Sequence, residues 1–263
     1  MVSSTHKEIE VSLLSGSGTE IQHTQIPLET EVTLSVNGSL WLSFRCTPED
    51  LENLAVGFLF NESIIQRPDE ISAVTVCDGR ENVDVWLTHA VEKPENWVRT
   101  SGCNGGISQS HGMANVQKLP FQDYPFVEIQ QQITQFLNCL SKMGELRNGL
   151  HTTLLTDGEE IISAGNDIGR HNTLDKIAGD CLRNKRTLQR PVLLTTGRVS
   201  SDMVLKAARM GVGLVISLHS ASSLAIELAS GLGLALVGHA RRSQVEIFSH
   251  PELITMRPVS GSR

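Results

Sequence analysis

The second half of the chain alternates short apolar strands with helices, and this alternation constrains the fold more than any other feature. A hairpin across Asp157-Gly158 and a helix over 173–184 come first. Predicted strands follow at 192–196, 214–218, 234–237 and 244–248, with helices at 201–210 and 222–232. Apolar strands separated by helices of this length indicate βαβ crossovers and a mostly parallel sheet. The pattern predicts an α/β domain over 149–263.

The first half has the pattern of a smaller α+β domain over 26–105, preceded by a polar, flexible tail over 1–25. Alternating strands at 31–36 and 39–45 flank Asn37-Gly38, a two-residue hairpin signal. Thr47 is a candidate cap, and Pro48 suits the first position of a helix whose apolar residues continue to Leu59. Two further strands are predicted at 71–77 and 82–87.

Residues 106–148 join the two domains. The stretch from Gln109 to Tyr124 has no clear periodicity, so we expect a loop or lid over 104–124. Pro125 then opens a helix that continues to about Gly144. A length of 263 residues suits one or two domains, which agrees with this division.

Charge and cysteine usage exclude several classes of protein. The net charge is −7, whereas general nucleic-acid binding needs a basic face. No apolar run suggests a secretory signal or a membrane span. The five cysteines are widely spaced and form no Cys-x-x-Cys motif, which indicates free thiols in a reducing compartment: Cys46, Cys77, Cys103, Cys139 and Cys181. We therefore expect a cytoplasmic protein without nucleic-acid or membrane partners.

Cys103 lies in the most unusual loop, Ser101-Gly102-Cys103-Asn104-Gly105-Gly106. Glycines remove bulk around the sulfur and let backbone N–H groups turn toward an anionic thiolate. Because a thiolate is the nucleophile, such a loop suits a cysteine that carries cargo. A free cysteine in an ordinary glycine-rich loop is the alternative.

Two predicted strand-to-helix turns each place glycine before arginine: Asp167-Ile168-Gly169-Arg170-His171-Asn172 and Thr196-Gly197-Arg198-Val199-Ser200. Asn172 is a good N-cap. A turn that enters a helix is a natural anion site, to which arginine adds a fork for phosphate. In a parallel sheet, both turns would lie at the edge where α/β folds bind ligands. A simple Asp167–Arg170 pair is the alternative for the first turn.

Two further turns and one histidine complete the candidates. The turn His219 to Ser223 supplies hydroxyls at a helix start. Arg241-Arg242 follows a strand and is either a solvated hairpin tip or part of a phosphate grip. His151 has no metal ligand at the spacing of a metal site, so we expect a structural or substrate-contacting role and no bound metal.

Several motifs together resemble the formate dehydrogenase accessory proteins, the FdhD sulfurtransferases. The resemblance covers nearly the whole chain after residue 25. Its most specific pieces are Thr47-Pro48 with Leu54-Ala55-Val56-Gly57-Phe58-Leu59, Asn148-Gly149-Leu150-His151, Asp167 to Lys176, Thr196 to Ser200, and His250-Pro251-Glu252.

The resemblance implies a sulfur carrier. Such proteins accept sulfur from a cysteine desulfurase as a persulfide, which Cys103 would hold here. They transfer it to the molybdenum cofactor before that cofactor enters formate dehydrogenase. The cargo would be the molybdopterin guanine dinucleotide form. The resemblance also implies that the larger domain has the cytidine-deaminase fold without its zinc.

The resemblance also implies which residues hold the cargo, and it favours the phosphate grip for the last turn. The implied cofactor-binding residues are His239, Ala240, Arg241, Arg242, Ser243 and Gln244, together with Arg170, His171 and Arg198. One departure stands out. Many relatives carry Cys-x-x-Cys in the loop that contains Cys103, whereas this chain has Gly106 at the second position.

Three functions remain open at this stage. The first is sulfur transfer through Cys103, and the second is cofactor delivery without sulfur chemistry. The third is a deaminase-like nucleotide hydrolase, for which neither a metal motif nor a catalytic carboxylate is apparent. An exposed sheet edge and the apolar helix near residue 129 are compatible with a symmetric homodimer.

Overall fold

The N-terminal segment forms a hairpin rather than the expected tail. The computed structural model describes residues 6–94, 97–99, 107–109, 116–144 and 149–256. Strand β1 (His6–Ser15) pairs antiparallel with β2 (Gly18–Pro27). The ten-residue register pairs the backbone groups on the facing edges of the two strands, and Gly18, with a φ of 128°, follows the turn between the strands.

The first half contains a four-stranded sheet in the order β4-β3-β6-β5. Its strands are β3 (Thr30–Val36), β4 (Ser39–Cys46), β5 (Ile71–Val76) and β6 (Asn82–Leu87). The predicted hairpin is confirmed, because Asn37 and Gly38 adopt positive φ angles of 50° and 79° between β3 and β4.

Helix α1 (Leu51–Asn61) packs on this sheet through Leu54, Phe58 and Leu59. The predicted cap is wrong, because Asp50 occupies the N-cap position and Thr47 lies outside the helix. The Thr47 backbone N–H instead donates to Asp167 Oδ2 at 3.1 Å. Long-range hydrogen bonding therefore takes Thr47 away from the helix that follows it.

The connection between the halves contains short strands and one long helix. Strand β7 (Trp97–Arg99) pairs with β8 (Ile107–Gln109), and β9 (Tyr124–Pro125) precedes helix α2 (Phe126–Met143). The predicted helix is confirmed, while residues 116–123 have no regular structure. Cys103 and Gly106 lie outside the described residues, so the lid stays a prediction.

The second half contains a six-stranded sheet in the order β11-β10-β12-β13-β14-β15. Its strands are β10 (His151–Asp157), β11 (Glu160–Asp167), β12 (Pro191–Thr195), β13 (Leu214–Ser217), β14 (Ala235–Gly238) and β15 (Glu246–Ser249). Only β12-β13-β14 are parallel, so the prediction of a mostly parallel sheet is wrong. Short connections at both ends of the sheet force antiparallel pairing.

Helices cover both faces of this sheet and make three layers. Helices α3 (Arg170–Arg183), α4 (Ser201–Arg209) and α5 (Ser223–Leu232) share one core cluster with Leu155 and Leu193. Helix α2 shares another with Leu154 and Leu194. Successive strand residues thus serve opposite layers, as expected for a sheet buried on both sides.

Helices α1 and α3 bring the two halves into close contact. A Cβ on Gly57 would overlap the carbonyl oxygen of Asp175, and one on Gly179 would overlap that of Asn53. Glycine is needed at both positions because the backbones lie too close for a side chain. The small sheet is thereby held against the helices that begin at the edge described below.

Short elements complete the chain. Strand β16 (Ile254–Thr255) pairs parallel with β9, and 3₁₀ turns cover Pro68–Glu70 and Pro251–Leu253. No helix in the described ranges is long and apolar enough to cross a membrane. The four cysteines in those ranges are free thiols, as predicted.

Candidate functional site

Four turns meet at one edge of the six-stranded sheet. Strands β11 and β12 both pair antiparallel with β10, and β13 and β14 continue parallel to β12, so all four end at the same edge. We call this the carboxyl edge, comprising the turns 167–171, 196–200, 218–222 and 239–244 and the first residue of β10, His151. Ligands of α/β sheets bind at such edges.

The first turn is held by buried Asp167. Its carboxylate lies 2.8 Å from the ammonium of Lys176 and accepts hydrogen bonds from the N–H of Gly169 (2.8 Å) and the side chain of Asn172 (2.9 Å). The ion pair of Asp167 is therefore with Lys176. Helix α3 begins at Arg170 with Gly169 as N-cap, so the prediction of Asn172 as cap is wrong.

The two Gly-Arg turns touch each other, which confirms that they share an edge. A Cβ on Gly197 would lie 3.0 Å from Arg170 Cβ and 3.2 Å from its Cδ. Arg198, one residue further on, is exposed. The edge therefore carries one arginine packed in its floor and another in solvent.

A chain of threonine hydroxyls lies beneath these two turns. The hydroxyl of Thr153 lies 2.7 Å from that of Thr173 and 3.0 Å from that of Thr195. Thr173 in turn donates to the carbonyl of Arg170, and Thr195 accepts from the N–H of Gly197. Since all three hydroxyls are buried, the chain fixes the spacing between the turns.

His171 is buried and neutral at physiological pH. Burial, followed by the charges of Lys206 and Arg170, lowers its pKa to about 3. Its Nε2 atom lies 2.9 Å from the hydroxyl of Ser200. Ser200 is the N-cap of α4 but makes no side-chain capping bond, because its hydroxyl faces His171 instead. The dyad links the first two turns.

His151 and His219 belong to the same electrostatic cluster. Burial lowers the pKa of His151, and Arg170, His219 and Arg198 lower it further against the opposing effect of Asp167. The sequence predicts either a structural or a substrate-contacting role for His151, and it assigns no separate role to His219. The position of both beside strand ends was the available signal, since histidine there faces the ligand edge.

The last turn folds back on the third. The N–H of His239 donates to the carbonyl of His219, and that of Ala240 donates to Ser217. The Arg241 guanidinium donates to the carbonyls of Leu218 (3.0 Å) and Ala240 (2.8 Å). Arg241 is therefore tied to the backbone of the carboxyl edge rather than to a free hairpin tip.

Side chains on α2 and β15 contact the rest of the last turn. Arg242 donates to the side chain of Asn138 on α2 at 3.0 Å, and His239 Nδ1 lies 2.8 Å from Glu246. Ser243 and Gln244 are exposed, and the Gln244 carbonyl accepts from the Arg241 N–H. The structure thus places all of the predicted cofactor-binding residues in turns at the carboxyl edge. Cys103, the predicted persulfide carrier, lies outside the described residues.

Within the described ranges, no three His, Cys, Asp or Glu side chains are grouped to hold a metal ion. The carboxyl edge instead offers guanidinium groups, imidazoles, hydroxyls and the start of α4. These groups suit phosphate oxygens, because charged and neutral donors converge there.

Comparison with known proteins decides the family. The sequence pattern of the FdhD/NarQ family matches residues 27–255. The chain belongs to the FdhD/NarQ family. Among curated members, the sulfur carrier protein FdhD of Staphylococcus haemolyticus is 34% identical over 239 residues, covering 88% of both chains. The sulfur carrier protein FdhD of Bacillus subtilis is 31% identical over 248 residues, covering 89% of this chain and 93% of its own.

A solved structure has the same fold. It is a putative formate dehydrogenase accessory protein from Desulfotalea psychrophila, with a TM-score of 0.81 and 27% sequence identity. The match covers 95% of this chain and all of that one. This family member therefore has the mixed α/β fold of a formate dehydrogenase accessory protein.

Proposed function

We propose that this chain is a sulfur carrier for formate dehydrogenase maturation. It accepts sulfur from a cysteine desulfurase as a persulfide on Cys103 and transfers it to the molybdenum cofactor before insertion. The observation that carries the proposal is the convergence of Arg170, His171, Arg198 and the 239–244 turn at the carboxyl edge of a member of the FdhD/NarQ family. Its relatives are named sulfur carrier proteins.

Loading requires one nucleophilic thiolate. The Cys103 thiolate attacks the outer sulfur of the donor's persulfide, and the S–S bond of the donor breaks as its own thiolate leaves. The new persulfide is on Cys103, and no net oxidation occurs. Gly106 in place of a second cysteine leaves this step intact, because loading uses a single thiol. The chain is in this proposal a sulfurtransferase.

The carboxyl edge would hold the cargo by its phosphates. Arg198 is exposed and offers a forked donor, while the packed Arg170 adds positive charge. The Ser200 hydroxyl, oriented by neutral His171, and the backbone of the 239–244 turn supply further polar groups. The molybdenum cofactor in its guanine dinucleotide form is the expected cargo, with no metal bound by protein side chains.

Three finer assignments belong to the same proposal. The six-stranded sheet, with parallel strands in its centre, is compatible with a zinc-free cytidine-deaminase fold. The free thiols support a reducing, cytoplasmic location. Formate dehydrogenase and a cysteine desulfurase are the expected protein partners, and a homodimer stays a prediction.

Cofactor delivery without sulfur transfer is the second candidate. The carboxyl edge supports it, because contacts among described residues hold the turns that form this edge. A deaminase-like hydrolase has no such support.

Intact-protein mass spectrometry after incubation with a cysteine desulfurase and cysteine tests the first proposal. We expect a gain of one sulfur atom on the wild type and none on Cys103→Ala. Cys77→Ala is the matched control, because Cys77 is an exposed free thiol outside the carboxyl edge, and it should load normally. A gain that persists in Cys103→Ala, or no gain at all, would favour delivery without sulfur transfer.

A further inference from the structure

Two adjoining cavities lie at the opposite edge of the six-stranded sheet. They measure about 540 and 280 Å³ and share Phe60 and Arg209 as a common wall. The smaller lies where α3 and α4 end, whereas both helices begin at the carboxyl edge. Helix α4 has nine residues, so its length places the cavities about 13 Å from the carboxyl edge. We call these cavities together the basic groove.

The charged side chains that line the basic groove are all cationic. They are Lys118, Lys185, Arg186 and Arg209, and no Asp or Glu is among the described lining residues. This sign is opposite to the net charge of −7. A cationic groove on an acidic protein favours an acidic partner over others.

Acidic residues of this chain neutralise part of the positive charge of the groove. Arg186 lies 3.3 Å from Asp180, and Glu62 and Asp175 act on Arg209. Lys118 and Lys185, one from each cavity, form no ion pair within the described residues. Helix dipoles explain cations at the ends of α3 and α4, but Lys118 lies in the irregular segment 116–123.

The floor of the smaller cavity is apolar. It is formed by Phe60, Ala178, Leu182, Leu188 and Met210. The Cys181 thiol also lines it, and burial, followed by the charge of Asp180, raises its pKa to about 11. Because Cys181 stays protonated, it contributes apolar surface and no nucleophile. The cavity suits an apolar side chain.

We propose that the basic groove docks an acidic segment of the sulfur-donor protein, with an apolar side chain in the smaller cavity and carboxylates on Lys118 and Lys185. Two adjoining cavities that share a wall suit a peptide segment better than one small ligand. The outer wall, 116–120, begins 13 residues after Cys103 in the sequence, so a donor docked there would be close to the acceptor thiol along the chain. This inference rests on the proposed function for the identity of the partner.

The affinity of purified cysteine desulfurase for the full chain tests the proposal. Lys118→Glu/Lys185→Glu should raise Kd about tenfold at low salt and flatten its salt dependence. Lys7→Glu/Lys93→Glu makes the same charge change at exposed positions outside the groove and should leave Kd within twofold of the wild type. Cys181→Phe fills the apolar cavity and should weaken binding without changing the salt dependence.

Equal Kd values for the groove variants and the control, or no binding by the wild type, would overturn the proposal. The proposal would also be overturned if the groove bound only a small organic anion. In that case the groove substitutions would change the fluorescence of bound 1-anilinonaphthalene-8-sulfonate but would not change the affinity for the desulfurase. Loading of Cys103 from inorganic polysulfide needs no docked protein, so it separates the docking proposal from the proposed sulfur-carrier function. It should be normal in every groove variant, and its failure in the wild type would contradict the proposed function instead.

Discussion

The Asp167 carboxylate lies 2.8 Å from the Lys176 ammonium, and at most 1% of either side chain is exposed. Lys176 also donates to the carbonyl oxygens of Thr47 (3.2 Å) and Asn166 (2.9 Å). This one pair therefore joins the small sheet, strand β11 and helix α3. It holds the turn that presents Arg170 and His171.

Asp167→Ala should destabilise the protein by about 3–5 kcal/mol, because it leaves the Lys176 charge buried without its partner. Chemical denaturation measures the loss. Glu31→Ala is the matched control, since it breaks the Arg45–Glu31 pair (2.9 Å) whose side chains are half exposed. That variant should lose about 1 kcal/mol or less. Equal losses in both variants would mean that the buried pair does not hold the turn.

Gly197→Ala should weaken the binding of GDP, used as a probe of the carboxyl edge. The added methyl group would press on Arg170 Cβ and Cδ and displace the arginine. We expect a loss of about 1–3 kcal/mol in stability and a severalfold higher Kd by isothermal titration calorimetry. Gly231→Ala, in α5 with open space around it, should leave the Kd unchanged. Unaltered GDP affinity in Gly197→Ala would remove Arg170 from the site.

Gly57→Ala should destabilise the protein by about 3 kcal/mol or more, because α1 would have to move away from the Asp175 carbonyl. Thermal and urea unfolding would show the effect. Gly231→Ala serves again as the control, and there alanine should add up to about 1 kcal/mol through helix propensity. A Gly57→Ala protein of wild-type stability would show that the α1–α3 contact is looser than its geometry indicates.

Acidification should destabilise the protein through His171. Its folded pKa of about 3 lies below the unfolded value of 6.5, so the unfolded state binds more protons between these limits. The stability due to neutral His171 is complete above pH 6.5 and is lost as the pH falls toward 3. Between about pH 7.5 and 5, this loss amounts to about 2 kcal/mol.

His171→Gln is the test of that pH dependence. The variant should unfold more easily at neutral pH, since its contact with Ser200 changes, but its stability should fall less between pH 7.5 and 5. Burial raises the pKa values of Asp175 and Asp202, which acts in the opposite direction, but both remain in the variant and cancel in the comparison. Parallel stability curves for the two proteins would contradict a neutral, buried His171.

Local signals predicted most elements, and long-range contacts explain where the prediction differed. Asn37-Gly38 specifies its hairpin because both residues accept positive φ. The periodicity after Pro125 specifies α2 because its apolar face is continuous. Thr47 and Asn172 have the chemistry of helix caps, yet both donate hydrogen bonds to the Asp167 carboxylate instead. Asp167 is 120 residues from Thr47 in the sequence, so no local pattern could indicate that bond. A cap preference of about 1 kcal/mol yields to a buried network of this kind.

The sequence alone determined that two Gly-Arg turns follow strands and that the chain belongs to the FdhD/NarQ family, because both depend on residue order. Only the tertiary structure decided that Arg170 packs on Gly197, that His151 and His219 join the same cluster, and that cations gather at the opposite edge. The physical reason is strand direction. β10 reverses between β11 and β12, and this pairing, rather than any local preference, sets which turns share an edge.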